Sequence, residues 1–186
     1  MARLTKLTGR GLDTQRELSE ALIGLTLEKG FSSVTVRDIT DRLGVDRTTF
    51  YLHFKDKDEL VLATQRRILD ELSSSFQGAA DPPSRLRTLY ERIALDRETW
   101  KAMLGFEEHQ RFEGRFAEQL ASLLPLFPTI LASTAGSGSL PRTLVARFVS
   151  TTIRSSAAWW LDQGEAACTP AEMAELTMKM LMKGLG

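Results

Sequence analysis

The sequence predicts an all-α protein of about nine helices, with an N-terminal three-helix domain over residues 1–56 and a helical second domain over residues 57–186. Three observations predict it. Apolar residues recur at spacings of three and four along most of the chain, the period of a helix with one buried face. Helix-capping and helix-stopping residues fall at the ends of those periodic runs. A short break, Gly44-Val45-Asp46, separates two apolar-faced segments, Val36 to Leu43 and Arg47 to Phe54.

Composition narrows the alternatives. The 186 residues suffice for a substantial core, and the charged and apolar fractions are those of an ordinary globular protein. No apolar run approaches the roughly 18 residues needed to span a bilayer. The start, MARLTKLTGRG, lacks the apolar centre of a signal peptide, so the expected location is cytoplasmic, with no membrane partner. The single cysteine, Cys168, has no second thiol for a disulfide or a shared metal, which fits a reducing compartment and a small loop-edge residue. No metal or cofactor is expected.

Taken in order, the first helix is expected from Asp13, a good N-cap, to Lys29, with Gly30 as its stop. Leu18, Ala21, Leu22 and Leu25 form its buried stripe, and Phe31 and Val34 close the corner. Before Asp13, Arg3, Lys6 and Arg10 stand without an acid, as a loose basic arm that follows phosphates or as a solvated tail. Thr35 with Asp38 resembles a capping arrangement for the second helix. Ile39 with Leu43, and Phe50 with Phe54, each put an apolar stripe on one helix face. Gly44 supplies the left-handed stop, Val45 buries in the angle and Asp46 caps the third helix. The product is a helix-turn-helix, whose second helix normally enters the DNA major groove. Net charge is zero, but Arg37, Arg47, Lys55 and Lys57 concentrate cations around this motif.

Asp56 caps a long fourth helix with Glu59 at its third position, and Leu60, Leu62, Ile68, Leu69 and Leu72 carry it towards Phe76. After the break GAADPP, Asp81 caps and Pro82 opens a fifth helix that buries Leu86, Leu89, Tyr90 and Ile93. A sixth runs from Arg97 to Leu104 and a seventh from about Phe112 to Leu124, with a kink or stop at Pro125 and Pro128. Ser133 to Ser139 reads as a flexible connection. From Pro141 to Gln163, Leu144, Val145, Phe148, Val149, Ile153, Ala157 and Trp160 make a wide apolar face. Thr169, Pro170 and Glu172 then open a final helix that is apolar on two sides. A helix with two apolar sides wants two neighbours, one of them in a second subunit.

The run Gly30 to Leu60 resembles the DNA-binding domain of the TetR family of bacterial transcriptional regulators. The residues that carry the resemblance are Gly30-Phe31, Thr35, Gly44-Val45, Phe50-Tyr51-Leu52-His53-Phe54 and Lys57-Asp58-Glu59-Leu60. It covers about a third of the chain, and Asp46 departs from the Ser or Thr often found at its position. The resemblance implies that Arg47 and Thr48 reach base edges, where an arginine fork suits guanine and a threonine methyl suits thymine. It implies base or phosphate contact for Thr49, phosphate contact for Tyr51, Arg37 and Lys57, and for Thr35 either phosphate contact or capping alone. His53 either joins them or packs within the domain.

Enzyme chemistry finds little support. Glu107 and Glu108 are adjacent and point about 100° apart on a helix, and His109 has no partner at ligand spacing. No nucleophile elbow or phosphate-cradling glycine loop occurs. For an effector pocket the candidates are Trp100, Met103, Phe106, Phe112, Phe116 and Trp159, and for a dimer interface Phe148, Thr152, Trp160, Met178 and Met182. The resemblance, with the two-sided final helix, leads to a homodimeric repressor on near-palindromic double-stranded DNA, and the aromatic side chains of the second domain to release by a small, largely apolar effector. The alternative is a helical adaptor or ligand-binding protein whose helix-turn-helix is not used for DNA.

Overall fold

The computed structural model describes residues 2–76, 81–106, 141–163 and 167–185. Among these, eight α-helices and one 3-10 turn account for all the regular structure, and no helix is long and apolar enough to cross a membrane. The helix expected from Phe112 to Leu124 and the connection from Ser133 to Ser139 lie outside the described residues. The chain divides into two compact units, Met1–Arg67 and Ile68–Gly186. The fourth helix carries the division.

In the first unit, α1 spans Ala2–Lys29, starting eleven residues before the expected cap at Asp13. With no proline ahead of Asp13, the chain continues helically through Gly11, whose cost is about 1 kcal/mol relative to alanine. The expected loose basic arm is thus the first turns of a helix. Leu18, Ala21, Leu22 and Leu25 are buried, as their spacing predicts. Gly30 takes a positive φ of 76° and starts the 3-10 turn Phe31–Ser33, and α2 follows at Val36–Leu43. Gly44, at φ 64°, ends α2 in the left-handed region. The next helix, α3, covers only Arg47–Tyr51, shorter than the stripe Phe50–Phe54 implies, because His53 and Phe54 both donate backbone N–H bonds to Phe50 O in a turn. Asp46 precedes α3 but makes no side-chain capping bond; its backbone carbonyl instead accepts from Thr49 N at 2.9 Å.

The long α4, Lys57–Ser75, opens on Asp56, whose Oδ1 accepts from Glu59 N at 2.8 Å, while Glu59 reaches back to Lys55 N at 2.7 Å. The Asp56 cap is therefore made, while Glu59 takes the backbone N–H of Lys55, one residue before the cap.

In the second unit, α5 (Pro82–Leu95) is capped by Asp81 and opened by proline, and α6 covers Arg97–Phe106. The last two helices are α7, Arg142–Gln163, and α8, Pro170–Leu185. The hydroxyl and backbone N–H of Thr169 both donate to Glu172 Oε2, at 2.8 and 2.7 Å, which fixes the start of α8. Helices α5, α7 and α8 meet at Tyr90. Its buried hydroxyl lies 2.8 Å from Ser156 Oγ on α7 and 2.6 Å from Thr177 Oγ1 on α8. Its ring meets the Trp160 indole edge-on at 5.5 Å. Burial pushes the Tyr90 phenol up from its usual range, so it stays neutral.

Trp160 is a node in the same core. Its indole N–H donates to Cys168 O, just before α8, at 2.8 Å. Arg97 lies over the indole and donates to the carbonyls of Trp160 and Leu161 at 3.3 and 3.2 Å, placing a cation at the last turn of α7. Replacing Tyr90 by phenylalanine keeps the ring packing but leaves Thr177 with fewer partners. The expected loss is about 1–2 kcal/mol, read as a lower urea midpoint.

Candidate functional site

The first unit holds a reading head built around two buried rings. Phe50 and Phe54, at 0 and 6 % exposure, pack 5.9 Å apart and turn α3 so that its opposite side faces solvent. That side carries Arg47, Thr48 and Tyr51, all exposed, with Thr49 half-buried between them. Tyr51 stands edge-on to Phe50 at 5.4 Å, which fixes its ring while its hydroxyl end points out. Leu52 is also exposed; it was not singled out from the sequence, although the Phe50–Phe54 spacing already leaves it off the buried stripe.

The turn before α3 is closed by backbone bonds. Val45 N donates to Thr40 O at 3.0 Å and Gly44 N to Asp41 O at 3.2 Å, so the angle between α2 and α3 is set by backbone bonds. A side chain at Gly44 would find open space but a strained backbone. Arg42 crosses α1 to pair with Glu28 at 2.6 Å, passing so close to Gly24 that a Cβ there would sit 2.7 Å from its Nη1.

The remaining expected contacts divide by how occupied their polar groups are. Thr35 closes a capping box with Asp38: its hydroxyl and backbone N–H both donate to Asp38 Oδ2, at 2.6 and 2.7 Å, and Asp38 N donates back to Thr35 Oγ1 at 3.2 Å. Lys29 approaches the same oxygen at 2.8 Å. Lys29, then the Thr35 hydroxyl and backbone N–H, hold the Asp38 carboxyl far below the usual carboxylate range. Thr35 is thus committed to its helix. Arg37 pairs with Asp41 at 3.2 Å in full exposure, a weak contact that an incoming anion displaces readily. His53 is half-buried beside Phe54, and a Cβ on Gly11 would lie 3.8 Å from its Cε1, so the ring packs against α1.

Lys57, expected to grip phosphate, points inward. Its ammonium donates to Phe31 O at 2.8 Å and Val34 O at 2.7 Å and sits 4.0 Å from the centre of the Phe31 ring. Burial lowers its pKa. The reason lies in the chain path: the 3-10 turn exposes two carbonyls just where α4 begins, and a long cation satisfies both. The side chains of Arg3, Lys6 and Arg10 lie outside the described residues.

A second surface lies on α7 and α8. An open apolar groove of about 810 Å³ is lined by Leu144, Phe148, Trp159, Leu176 and Met180, with Thr151, Thr152 and Ser155 between them. Phe148 and Thr152, expected at a subunit interface, are here, and so is Trp159, expected at an effector pocket. Trp160, expected at that interface, is 2 % exposed inside the core. Met178 and Met182 are not among the lining residues. On α8 they stand roughly 160° from the Leu176–Met180 edge, because the residues between these two edges pack inward. Trp100 and Met103 are core residues of α6, at 5 and 0 % exposure. The Phe106 side chain, Phe112 and Phe116 lie outside the described residues.

With this geometry in place, the comparisons with known proteins are specific. The family profile described as bacterial regulatory proteins, tetR family, matches residues 20–64, from α1 into α4. A relative, the HTH-type transcriptional repressor KstR2 of Mycobacterium tuberculosis, is 31% identical over 91 residues, 47% of this chain and 46% of its own length. The matched stretch thus spans about half of that curated relative. Among solved structures, a TetR transcriptional regulator from Streptococcus agalactiae superposes with a TM-score of 0.73 at 18% identity, covering 97% of this chain and 99% of its own. Thermus thermophilus FadR, a TetR-family transcriptional repressor solved with lauroyl-CoA, gives 0.61 at 17% identity, covering 92% and 95%. At such identities the likeness is one of fold.

The capping box makes a pH prediction. A carboxyl whose pKa is depressed by folding stabilises the fold above its ordinary value and loses that contribution as pH falls towards the folded value. Asp38→Asn should therefore lower the thermal midpoint of the first unit by a constant amount between pH 7 and about pH 4, with the gap closing in more acidic buffer. Circular-dichroism melts across that range check it; a gap that widens on acidification contradicts the assignment.

Proposed function

Because the chain belongs to the TetR family of bacterial transcriptional regulators, we propose that it is a cytoplasmic, homodimeric repressor that reads a near-palindromic operator and releases it on binding a small, largely apolar effector. The observation that carries the DNA reading is the rigid α3, which turns Arg47, Thr48 and Tyr51 to solvent on one side while Phe50 and Phe54 anchor the other. Arg47 and Thr48, in its first turn, are placed to reach base edges in the major groove. Tyr51, Thr49 and Arg37 serve phosphates, with Arg37 giving up its exposed pairing to Asp41. Thr35 and Lys57 act indirectly, by holding α2 and α4 in place.

The groove on α7 and α8 supports the dimer. It is open and apolar and lies on two helices with small residues at mid-length, where a two-fold axis lets a second copy of the same surface approach closely. Two reading heads held by such an interface meet successive major grooves, and an effector acts by favouring a dimer shape that misses that spacing. The apolar class of effector is supported by the aromatic content of the second unit and by analogy with the acyl chain of the lauroyl-CoA bound to the FadR structure.

Electrophoretic or fluorescence titration against operator DNA tests the reading. Affinity should fall steeply as salt rises, and Arg47→Ala should weaken the specific complex by about 1–3 kcal/mol. Salt-independent binding would instead favour an adaptor whose helix-turn-helix is unused. Independently, Leu176→Glu should convert the dimer to monomer in sedimentation at micromolar concentration, whereas Met178→Glu, off the groove, should not. A wild-type monomer at that concentration removes the interface.

A further inference from the structure

One fully buried polar residue in the described residues breaks a rule that the other fully buried ones keep. Gln65, on α4, is 0 % exposed, and both its Oε1 and Nε2 are buried with no hydrogen-bond partner among the described residues. Exchanging the two atoms by an amide flip changes nothing, since both ends are unpaired. The other fully buried polar residues among those described are satisfied. Ser19, Thr26, Thr40 and Ser150 bond to carbonyls of their own helices, and Ser156 and Thr177 bond to Tyr90. Even Thr64, the adjacent residue and equally buried, reaches Leu60 O at 2.8 Å and Ser19 Oγ at 3.0 Å.

Chemistry explains why Gln65 differs. A serine or threonine hydroxyl is short enough to fold back onto the preceding turn, while a glutamine carboxamide projects away from its helix. Its companions on the same face, Val61 one turn before and Ile68 and Leu69 one turn after, are buried and apolar and offer no polar atom. Protein interiors rarely leave a buried donor and a buried acceptor orphaned on one group, and each such exception calls for an explanation, of which a water or a bound ligand that completes the pairing is one.

We propose that Gln65 is the polar anchor for the effector, and that the effector is an uncharged, otherwise apolar molecule carrying one amide, lactam or undissociated carboxyl group. The carboxamide needs a partner that donates to Oε1 and accepts from Nε2 at once, and those groups present both functions side by side. A carboxylate accepts only, and so leaves Oε1 unpaired while adding a buried charge. The apolar companions on α4 select for the rest of the molecule. This inference rests on the effector-release reading and specifies its ligand class.

The test uses the full chain labelled with nitrogen-15, with octanamide and 2-quinolinone as probes and 2-octanone and quinoline, which lack the N–H donor, as matched controls. The Gln65 side-chain amide signals are assigned by their loss in Gln65→Met. Both probes should shift those signals and bind wild type about tenfold more tightly than Gln65→Met, while the controls bind the two proteins alike. Without ligand, Gln65→Met should melt at or above the wild-type temperature, since an apolar side chain of similar length removes an unpaired amide. The proposal is overturned if neither probe moves the Gln65 signals, if the variant binds the probes as well as wild type, or if the unliganded variant melts well below wild type, which assigns the carboxamide to the fold. Operator affinity, measured separately, distinguishes the two readings. Probes that bind at Gln65 without weakening operator binding remove the effector role but keep the anchor, whereas intact operator binding without probe binding at Gln65 removes the anchor alone.

Discussion

The first unit depends on where one ammonium group goes. Lys57 stands at the start of α4, and its Nζ is held by the carbonyls of Phe31 and Val34 and by the face of the Phe31 ring. Those two carbonyls belong to the corner that separates α1 from α2, so one side chain ties the beginning of the long helix to the bend on which the reading head turns. Hydrogen bonds from a charged donor contribute roughly 1.5–3 kcal/mol each when well formed, and here two are made in a half-buried setting that also lowers the pKa of the lysine. The position of α3 follows from this fixed corner together with the backbone bonds at Gly44 and Val45. The charge that the resemblance assigns to phosphate is here bonded within the frame that carries α3.

How much was legible in the sequence follows from the range of each interaction. The caps at Thr35, Asp56, Asp81 and Thr169 were all readable, because a cap is a bond between residues three apart and depends on little else. The stripe on α1 and the inward rings of Phe50 and Phe54 were readable for the same reason, since spacing alone puts them on one face. Asp13 and Asp46 carry the right chemistry for caps, yet α1 runs through the first and the side chain of the second makes no capping bond. Propensity named candidates there, and the continuing helix or the local backbone decided otherwise. The inward position of Lys57 was not readable, because its partners lie 23 and 26 residues away and no local pattern announces them.

The last two helices show a different limit. A run such as Leu144, Val145, Phe148 and Val149 reads as one wide apolar face, but the structure divides it. Val145 and Val149 are 1 % exposed in the core, while Leu144 and Phe148 line the groove. Periodicity says that a helix is apolar on two sides without saying which side meets its own unit. That choice was made by Tyr90, whose hydroxyl fixes the rotation of α7 through Ser156 and of α8 through Thr177. Trp160 and Trp159 are neighbours in sequence and chemically identical, and this rotation alone sends one into the core and the other to the surface.

The Tyr90 junction also orders events during synthesis. The first unit is a continuous stretch that ends at Arg67, so every bond within it is available once that residue has left the ribosome. The second unit is tied by bonds across 66 and 87 residues, from Tyr90 to Ser156 and to Thr177, and its closure waits for nearly the last helix. Until α8 emerges, the apolar edge of α7 stands without the helix that borders the groove. A nascent chain of this kind is most prone to mispairing in the interval between the completion of α7 and the arrival of α8.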